Sequence, residues 1–187
     1  YIADHPELCE KDPTLADATF AQGDIVNTII TCEGGEQILL RLDTTLPRSY
    51  DREFTLRGTK GSFSQTTNSV FLDGDREYWN PTRCIADTMN NAEKNEEEYL
   101  CDEWKFITDE ARAVSHGGMD GIMFRVFLDR VKDGGEMPVD VYDAASWMAV
   151  TALSTRSIEM GGAPQSFPDF TGGKYVSRPP LDVIKLK

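Results

Sequence analysis

A chain of 187 residues, 40% of them hydrophobic, is long enough to bury one sizeable core and too apolar to remain disordered, so a single globular domain is expected. Its formal charge of -13 at pH 7 repels polyanions, which excludes an electrostatic grip on nucleic acid or on an anionic membrane. No apolar run approaches the roughly 18 residues of a membrane-spanning helix, because Asp, Arg or Thr interrupts each candidate. The first residue is Tyr1, with no basic, apolar and small-residue succession of a signal peptide after it, and the chain is expected to begin inside a longer, soluble product.

Residues 1–19 scatter Pro, Asp and Glu without periodicity and read as a segment leading into the domain. DIVNTIITCE at 24–33 and EQILLRLDT at 36–44 are rich in β-branched and aliphatic residues and flank Gly34-Gly35. That pattern predicts two antiparallel strands joined by a tight two-residue turn. Beyond the loop TLPRSYD, charged and apolar side chains alternate over 52–57, GTKG turns the chain at 58–61, and 62–72 offers further short strands. The result is an antiparallel meander without crossover helices.

The stretch 85–103 is polar and acidic, with Glu96, Glu97 and Glu98 in succession, and reads as a solvated loop or surface helix. In 119–132, Ile122, Met123, Val126, Phe127 and Val131 fall on helical spacing, and Gly134-Gly135 follows as the stop. A second helix starts near Asp140, with Asp143 at the capping-box position, and stops at Gly161-Gly162. Its apolar stripe is predicted from Val141, Ala144, Ala145, Met148, Ala152 and Leu153. The tail from Pro164 carries Pro and Gly at intervals that forbid a long helix, and is expected to run extended. Strands first and helices later predict an α+β fold: a largely antiparallel open sheet with helices packed on one face.

The four cysteines, Cys9, Cys32, Cys84 and Cys101, show no zinc-ligand spacing and read as buried or half-buried thiols, with any pairing left open. The chain contains no GxGxxG, Walker loop, HExxH or GxSxG, so the common cofactor and nucleophile signatures are absent.

Three polar clusters remain. Pro47-Arg48-Ser49-Tyr50-Asp51-Arg52 sits at a predicted sheet rim, where a phenol flanked by two guanidinium groups can orient a hydroxylated or anionic ligand. The alternative is an ordinary surface loop with Tyr50 packed over the sheet. Ser115-His116-Gly117-Gly118-Met119-Asp120 precedes a helix, so His116 can exchange a proton while Asp120 holds its imidazole or caps the helix. The alternative there is a purely structural cap. Asp140-Val141-Tyr142-Asp143 places both carboxylates in a first helical turn, where complementing the helix dipole is the simpler reading. His5 is expected to be solvent-exposed. Trp79, Trp104 and Trp147 are expected in the core, although an exposed Trp face suits a sugar ring.

Five stretches in one order carry a resemblance: GDIVNTII at 23–30, LDTTLPRSYDREFTLRGTKGSF at 42–63, HGGMDGIMFRVF at 116–127, DVYDAASW at 140–147 and PDFTGGKY at 168–175. Together they resemble the carboxy-terminal domain of the glucose-fructose oxidoreductase and inositol dehydrogenase family, most closely glycoside hydrolase family 109. The resemblance implies a preceding Rossmann domain that holds NAD and lies outside residues 1–187, and a sheet here that faces a carbohydrate substrate and can support homo-oligomer contacts. It implies hydrolysis of an α-N-acetylgalactosaminide or related sugar through transient oxidation, elimination, water addition and reduction. A sugar or polyol dehydrogenase using NAD(P), or a non-catalytic carbohydrate-binding protein, is the alternative. By position Tyr50 matches a tyrosine that lines the sugar site, with Arg48, His116 and Asp120 as further substrate-facing residues. The family's Tyr-Pro-Thr-His segment, which supplies the active-site histidine, is expected before Tyr1, so the isolated chain is expected neither to bind NAD nor to turn over. Asp51 and Gly121 depart from the family pattern. Members of this branch are often exported proteins of bacteria.

Overall fold

The computed structural model describes residues 1–20, 23–74, 89–100, 102–105, 107–114 and 116–179. Trp79, Cys84, Cys101, Ser115, the stretch 85–88 and the tail from residue 180 onward lie outside the described residues. The chain is α+β, with small antiparallel sheets and helices, and its contacts gather it into two compact units. The first joins residues 1–49 to 141–173, and the second joins 50–140 to 174–187.

The first unit opens with short helical turns where an irregular lead-in was expected. A 3-10 turn over Ile2–Asp4 runs into helix α1, Pro6–Lys11, and a second 3-10 turn spans Pro13–Asp17. The local signals suffice: Pro6 and Pro13 stand at first helical positions, where their missing N–H costs nothing. Asp12 caps the second turn by accepting from the Thr14 N–H at 3.0 Å and the Thr14 hydroxyl at 2.6 Å. Those bonds favour the ionised carboxylate, and the Thr14 hydroxyl does most to hold the Asp12 pKa below its ordinary value.

Strands β1, Ile25–Thr31, and β2, Gln37–Asp43, pair antiparallel from Ile25 opposite Asp43 to Thr31 opposite Gln37. The turn is longer by one residue than Gly34-Gly35 alone predicts. Cys32 N donates to Glu36 O at 2.8 Å and Gly35 N to Cys32 O at 3.1 Å, so Glu33–Gly35 form the loop. Gly35 sits at φ 93, the left-handed residue that a three-residue hairpin requires. Val26, Thr28 and Ile30 share the half-buried face, while Ile29 (71% exposed) stands opposite Leu39 (66% exposed) on the other.

Helix α6, Val141–Glu159, joins the hairpin through a hydrogen bond of 2.8 Å between Thr28 Oγ1 and Ser154 Oγ. Its half-covered residues include Ala145, Ser146, Ala149, Val150, Leu153, Ser154 and Ser157. The predicted stripe is therefore rotated: Ala145 and Leu153 belong to it, but Val141, Ala144, Met148 and Ala152 are exposed. The reason is that small and hydroxyl side chains occupy this face, which counting apolar residues alone cannot detect. The helix ends where Gly162 N reaches back to Ser157 O at 2.8 Å. Beyond it, the Asp169 carboxylate gathers the Thr171 N–H at 2.8 Å, the Thr171 hydroxyl at 2.7 Å and the Gly173 N–H. These donors, the Thr171 hydroxyl foremost, hold the Asp169 pKa below the ordinary value.

The second unit carries a meander of β3, Thr55–Arg57, β4, Gly61–Ser64, and β5, Ser69–Leu72, all antiparallel in that order. Asn91 finishes one edge of β5. Its side-chain oxygen accepts from Val70 N at 2.7 Å and its amide donates to Val70 O at 2.8 Å, imitating one residue of a further strand. Short helices α2, Glu96–Tyr99, α3, Asp102–Lys105, and α4, Asp109–Arg112, follow, the last capped by Thr108. Helix α5 spans Met119–Asp133 and ends at Gly134, as its spacing predicts. Its Val126, 7% exposed, is the buried apolar side chain among the described residues.

The turn before α5 makes glycine obligatory at one position. Gly118 has φ +86, and a Cβ there would lie 2.9 Å from Ala111 O, whereas Gly117, at φ +70, has open space. Gly121 lies inside α5 with open space around it. Gly118→Ala is expected to cost roughly 2–4 kcal/mol and Gly117→Ala roughly 1–2, while Gly121→Ala gains roughly 1 kcal/mol of helix propensity. Denaturant titration ranks the three, and a stabilising Gly118→Ala would contradict the turn. For Asp169 the pKa is lower folded than unfolded, so its contribution is fully present above the unfolded value and is lost as pH falls through the folded one. The melting-temperature gap between the native chain and Asp169→Asn is accordingly expected to be widest near neutrality and to close below about pH 4.

Candidate functional site

The described interactions resolve the predicted site residues into three local pairs. In the first unit, β2 ends at Asp43, which is largely buried, and Arg48 Nε lies 3.4 Å from its Oδ2. The other carboxylate oxygen, Oδ1, and Thr45 Oγ1 are shielded from water without a hydrogen-bond partner. A buried anion on a strand end needs a cation, and Arg48 supplies it. Arg48 thereby braces the loop that follows β2.

In the second unit, Tyr50 is 85% exposed, which settles the choice between a ring packed over the sheet and one that projects. Arg52 Nε donates to Tyr50 Oη at 3.2 Å. The loop is closed beneath them by Asp51 Oδ1, which accepts from Glu53 N at 2.8 Å while Glu53 takes φ 49. An Asp side chain that turns the chain two residues on is a familiar Asx turn, so Asp51 has a local structural task. The spacing Tyr-x-Arg was the available sequence signal for Arg52. What it lacked was the left-handed residue at Glu53 that folds the loop.

The third pair is His116 and Asp120, four residues apart and 3.0 Å from Nδ1 to Oδ2. His116 itself takes φ 53 and is followed by Gly117 and Gly118 at positive φ, so three successive left-handed residues turn the chain into α5. Asp120 lies in the first turn of α5, where the helix dipole favours a carboxylate. A carboxylate only accepts, so Nδ1 carries the proton, and in the neutral ring Nε2 remains an acceptor. The imidazole is 67% exposed and Asp120 33%, which makes this a solvent-facing dyad whose Nε2 can accept a hydrogen bond.

Two further candidates, His5 and Trp147, are placed differently from expectation. His5 is half-buried, stacked on Tyr1 at 4.1 Å between ring centroids, with Nδ1 2.8 Å from Tyr1 O; a stacking partner four residues back was not foreseen. Asp140 pairs with Arg178 at 3.5 Å. Trp104 is half-covered, but Trp147 is 64% exposed on α6 instead of lying in the core. Cys9 and Cys32 are half-covered free thiols. Among the described residues, no cluster of His, Cys, Asp or Glu is arranged to hold a metal ion, and no helix is long and apolar enough to cross a membrane. The first unit also holds a groove of about 320 Å³ between hairpin and α6, lined by Val26, Thr28, Leu40, Arg41, Ser154 and Ile158 among others. None of the four predicted residues lines it.

The sequence model of the family described as glycosyl hydrolase 109, C-terminal domain, matches residues 1–177. The chain belongs to this family. As a glycosyl hydrolase 109 C-terminal domain it is 38% identical over 162 residues to a glycosyl hydrolase family 109 protein of Stenotrophomonas maltophilia, covering 87% of this chain and 34% of that protein. It is 37% identical over 161 residues to an α-N-acetylgalactosaminidase of Tannerella forsythia, covering 86% and 33%. A glycosyl hydrolase family 109 protein of Parabacteroides distasonis is 35% identical over 166 residues, covering 89% and 34%. The chain thus spans about a third of the length of these bacterial relatives.

In this glycosyl hydrolase 109 domain, Asp120→Ala is expected to release the His116 ring from the Nδ1–H form. Long-range proton–nitrogen spectra of the imidazole check this: a tautomer mixture unchanged from the native chain would show that the carboxylate does not set it.

Proposed function

We propose that this domain is the substrate-facing part of a glycosidase that acts on α-N-acetylgalactosaminides or related sugars. The observation that carries the reading is the family match over residues 1–177 together with a projecting Tyr50 held by Arg52 within the matching PRSY stretch. The relative from Tannerella forsythia named α-N-acetylgalactosaminidase supports the substrate class. An exposed phenol and an exposed imidazole on the second unit suit a ligand that is itself a ring of hydroxyl groups, since the phenol has a proton to donate and the imidazole Nε2 can accept. We assign Tyr50, His116 and Asp120 to the sugar. Arg48, in the first unit, is tied to Asp43 at the end of β2.

The chemistry is proposed to run by transient oxidation, elimination, water addition and reduction, with NAD held by a Rossmann domain outside these residues. The antiparallel pairing of the described strands, unlike the βαβ unit that cradles pyrophosphate, supports placing NAD outside this chain. Residues 1–187 alone are therefore proposed to be inactive. The complete protein is proposed to be bacterial and exported, with this domain contacting its own cofactor domain and, through the sheet, a second copy.

Incubating the complete protein with an aryl α-N-acetylgalactosaminide and no added cofactor tests the reading. Release of the aglycone without accumulating NADH is expected. Steady accumulation of NADH in a parallel incubation with a free sugar and added NAD would instead mark a sugar dehydrogenase, and neither reaction would mark a binding protein. Loss of one ligand hydrogen bond makes Tyr50→Phe about tenfold weaker in kcat/KM.

A further inference from the structure

The loop that carries Tyr50 also fixes the direction in which its hydroxyl can donate. A phenol oxygen has one proton and its lone pairs, and conjugation keeps the proton in the ring plane on one side or the other. Arg is a donor only. With Arg52 Nε 3.2 Å from Tyr50 Oη, the side of the oxygen facing Arg52 must offer a lone pair, so the phenol proton is turned away from it.

This arrangement is built by the backbone, not by packing. The ring is 85% exposed, so no wall of neighbours orients it. Asp51 Oδ1 instead ties Glu53 N at 2.8 Å, Glu53 is set at φ 49, and the Thr55 hydroxyl donates to Glu53 O at 3.3 Å. Arg52 stands between the two residues that make the turn. The 3.2 Å contact from its Nε to Tyr50 Oη places its head group beside the phenol oxygen.

We infer that Arg52 is a positioning residue for Tyr50. It holds the phenol as an outward hydrogen-bond donor, so the ligand atom that Tyr50 meets is an acceptor oxygen of the sugar. Arg52 therefore acts through Tyr50 and not on the ligand. This deepens the assignment of Tyr50 to the sugar and rests on it.

The test is a double-mutant cycle in the complete protein with an aryl α-N-acetylgalactosaminide, reading KM and kcat separately for Tyr50→Phe, Arg52→Met, Arg52→Lys and the Phe/Met double variant. Arg52→Met is expected to raise KM about five- to tenfold, as the loss of one oriented hydrogen bond implies, with kcat changed less. Arg52→Lys, which keeps a donor, is expected to restore most of the loss. In the Tyr50→Phe background Arg52→Met is expected to change KM less than about twofold, because no hydroxyl remains to be oriented. A readout independent of turnover is the ring carbon bonded to the Tyr50 hydroxyl, whose carbon-13 resonance is expected to move in Arg52→Met and to stay near its native position in Arg52→Lys. If the two losses multiply, Arg52 touches the ligand itself and the inference is wrong while Tyr50 keeps its role. An unmoved resonance, or a silent Arg52→Met beside an impaired Tyr50→Phe, overturns it equally. A silent Tyr50→Phe removes the sugar assignment and the inference with it.

Discussion

The first unit depends on a contact between parts of the chain that are far apart in sequence. Thr28 and Ser154, 126 positions apart, share a hydrogen bond of 2.8 Å, and without such a contact residues 1–49 and 141–173 have no reason to meet. Closing a flexible loop of that length costs on the order of 4 kcal/mol, whereas one net hydrogen bond returns about 1 kcal/mol. The difference must come from apolar surface, and roughly 120 Å² at about 25 cal/mol per Å² would offset it. Val26, Leu40 and Leu42 on the hairpin and Val150 and Ile158 on α6 line the two walls and are the surfaces able to supply it. The hydrogen bond then favours the rotation of α6 that sets the half-buried Ser154 hydroxyl against Thr28.

That selection explains which parts of the fold were legible. The hairpin, α5 and α6 were readable because each carries a repeating pattern and a glycine stop, and their observed ends fall within about two residues of the expected ones. The face of α6 was not readable. A stripe containing Ser146, Ser154 and Ser157 looks polar to a hydrophobic count, and its meaning appears only when Thr28 is opposite. Asn91 was hidden for a similar reason: nothing in an acidic segment announces a side chain that imitates a strand on Val70. The lead-in was underestimated because turns of three to six residues leave no periodicity, although Asp12 and the prolines marked their starts.

The site divides along the same line. His116 and Asp120 were legible as a pair, because four residues at a helix start bring side chains together. Tyr50 was legible as a candidate, and its exposure shows that the ring is not packed over the sheet. The roles of the arginines were not. Arg48 is explained by Asp43, five residues earlier and largely buried at the end of β2, and Arg52 by a left-handed Glu53 that no propensity favours.

Both exposed polar groups are thus held by strained or tied backbone, with little help from a core. Val126 is the one buried apolar side chain described, while Ile29, Leu39, Phe124 and Phe127 remain exposed, so rigidity has to be generated locally. Ordering an exposed side chain costs about 0.5–1.5 kcal/mol, as much as one net hydrogen bond returns. The hydrogen bonds of Arg52 to Tyr50 and of His116 to Asp120 offset that cost within the domain itself. The positive φ at Glu53 and His116 costs stability that folding must supply elsewhere. Part of it is offset locally, where Asp51 accepts from Glu53 N in the one turn and Asp120 holds His116 Nδ1 in the other.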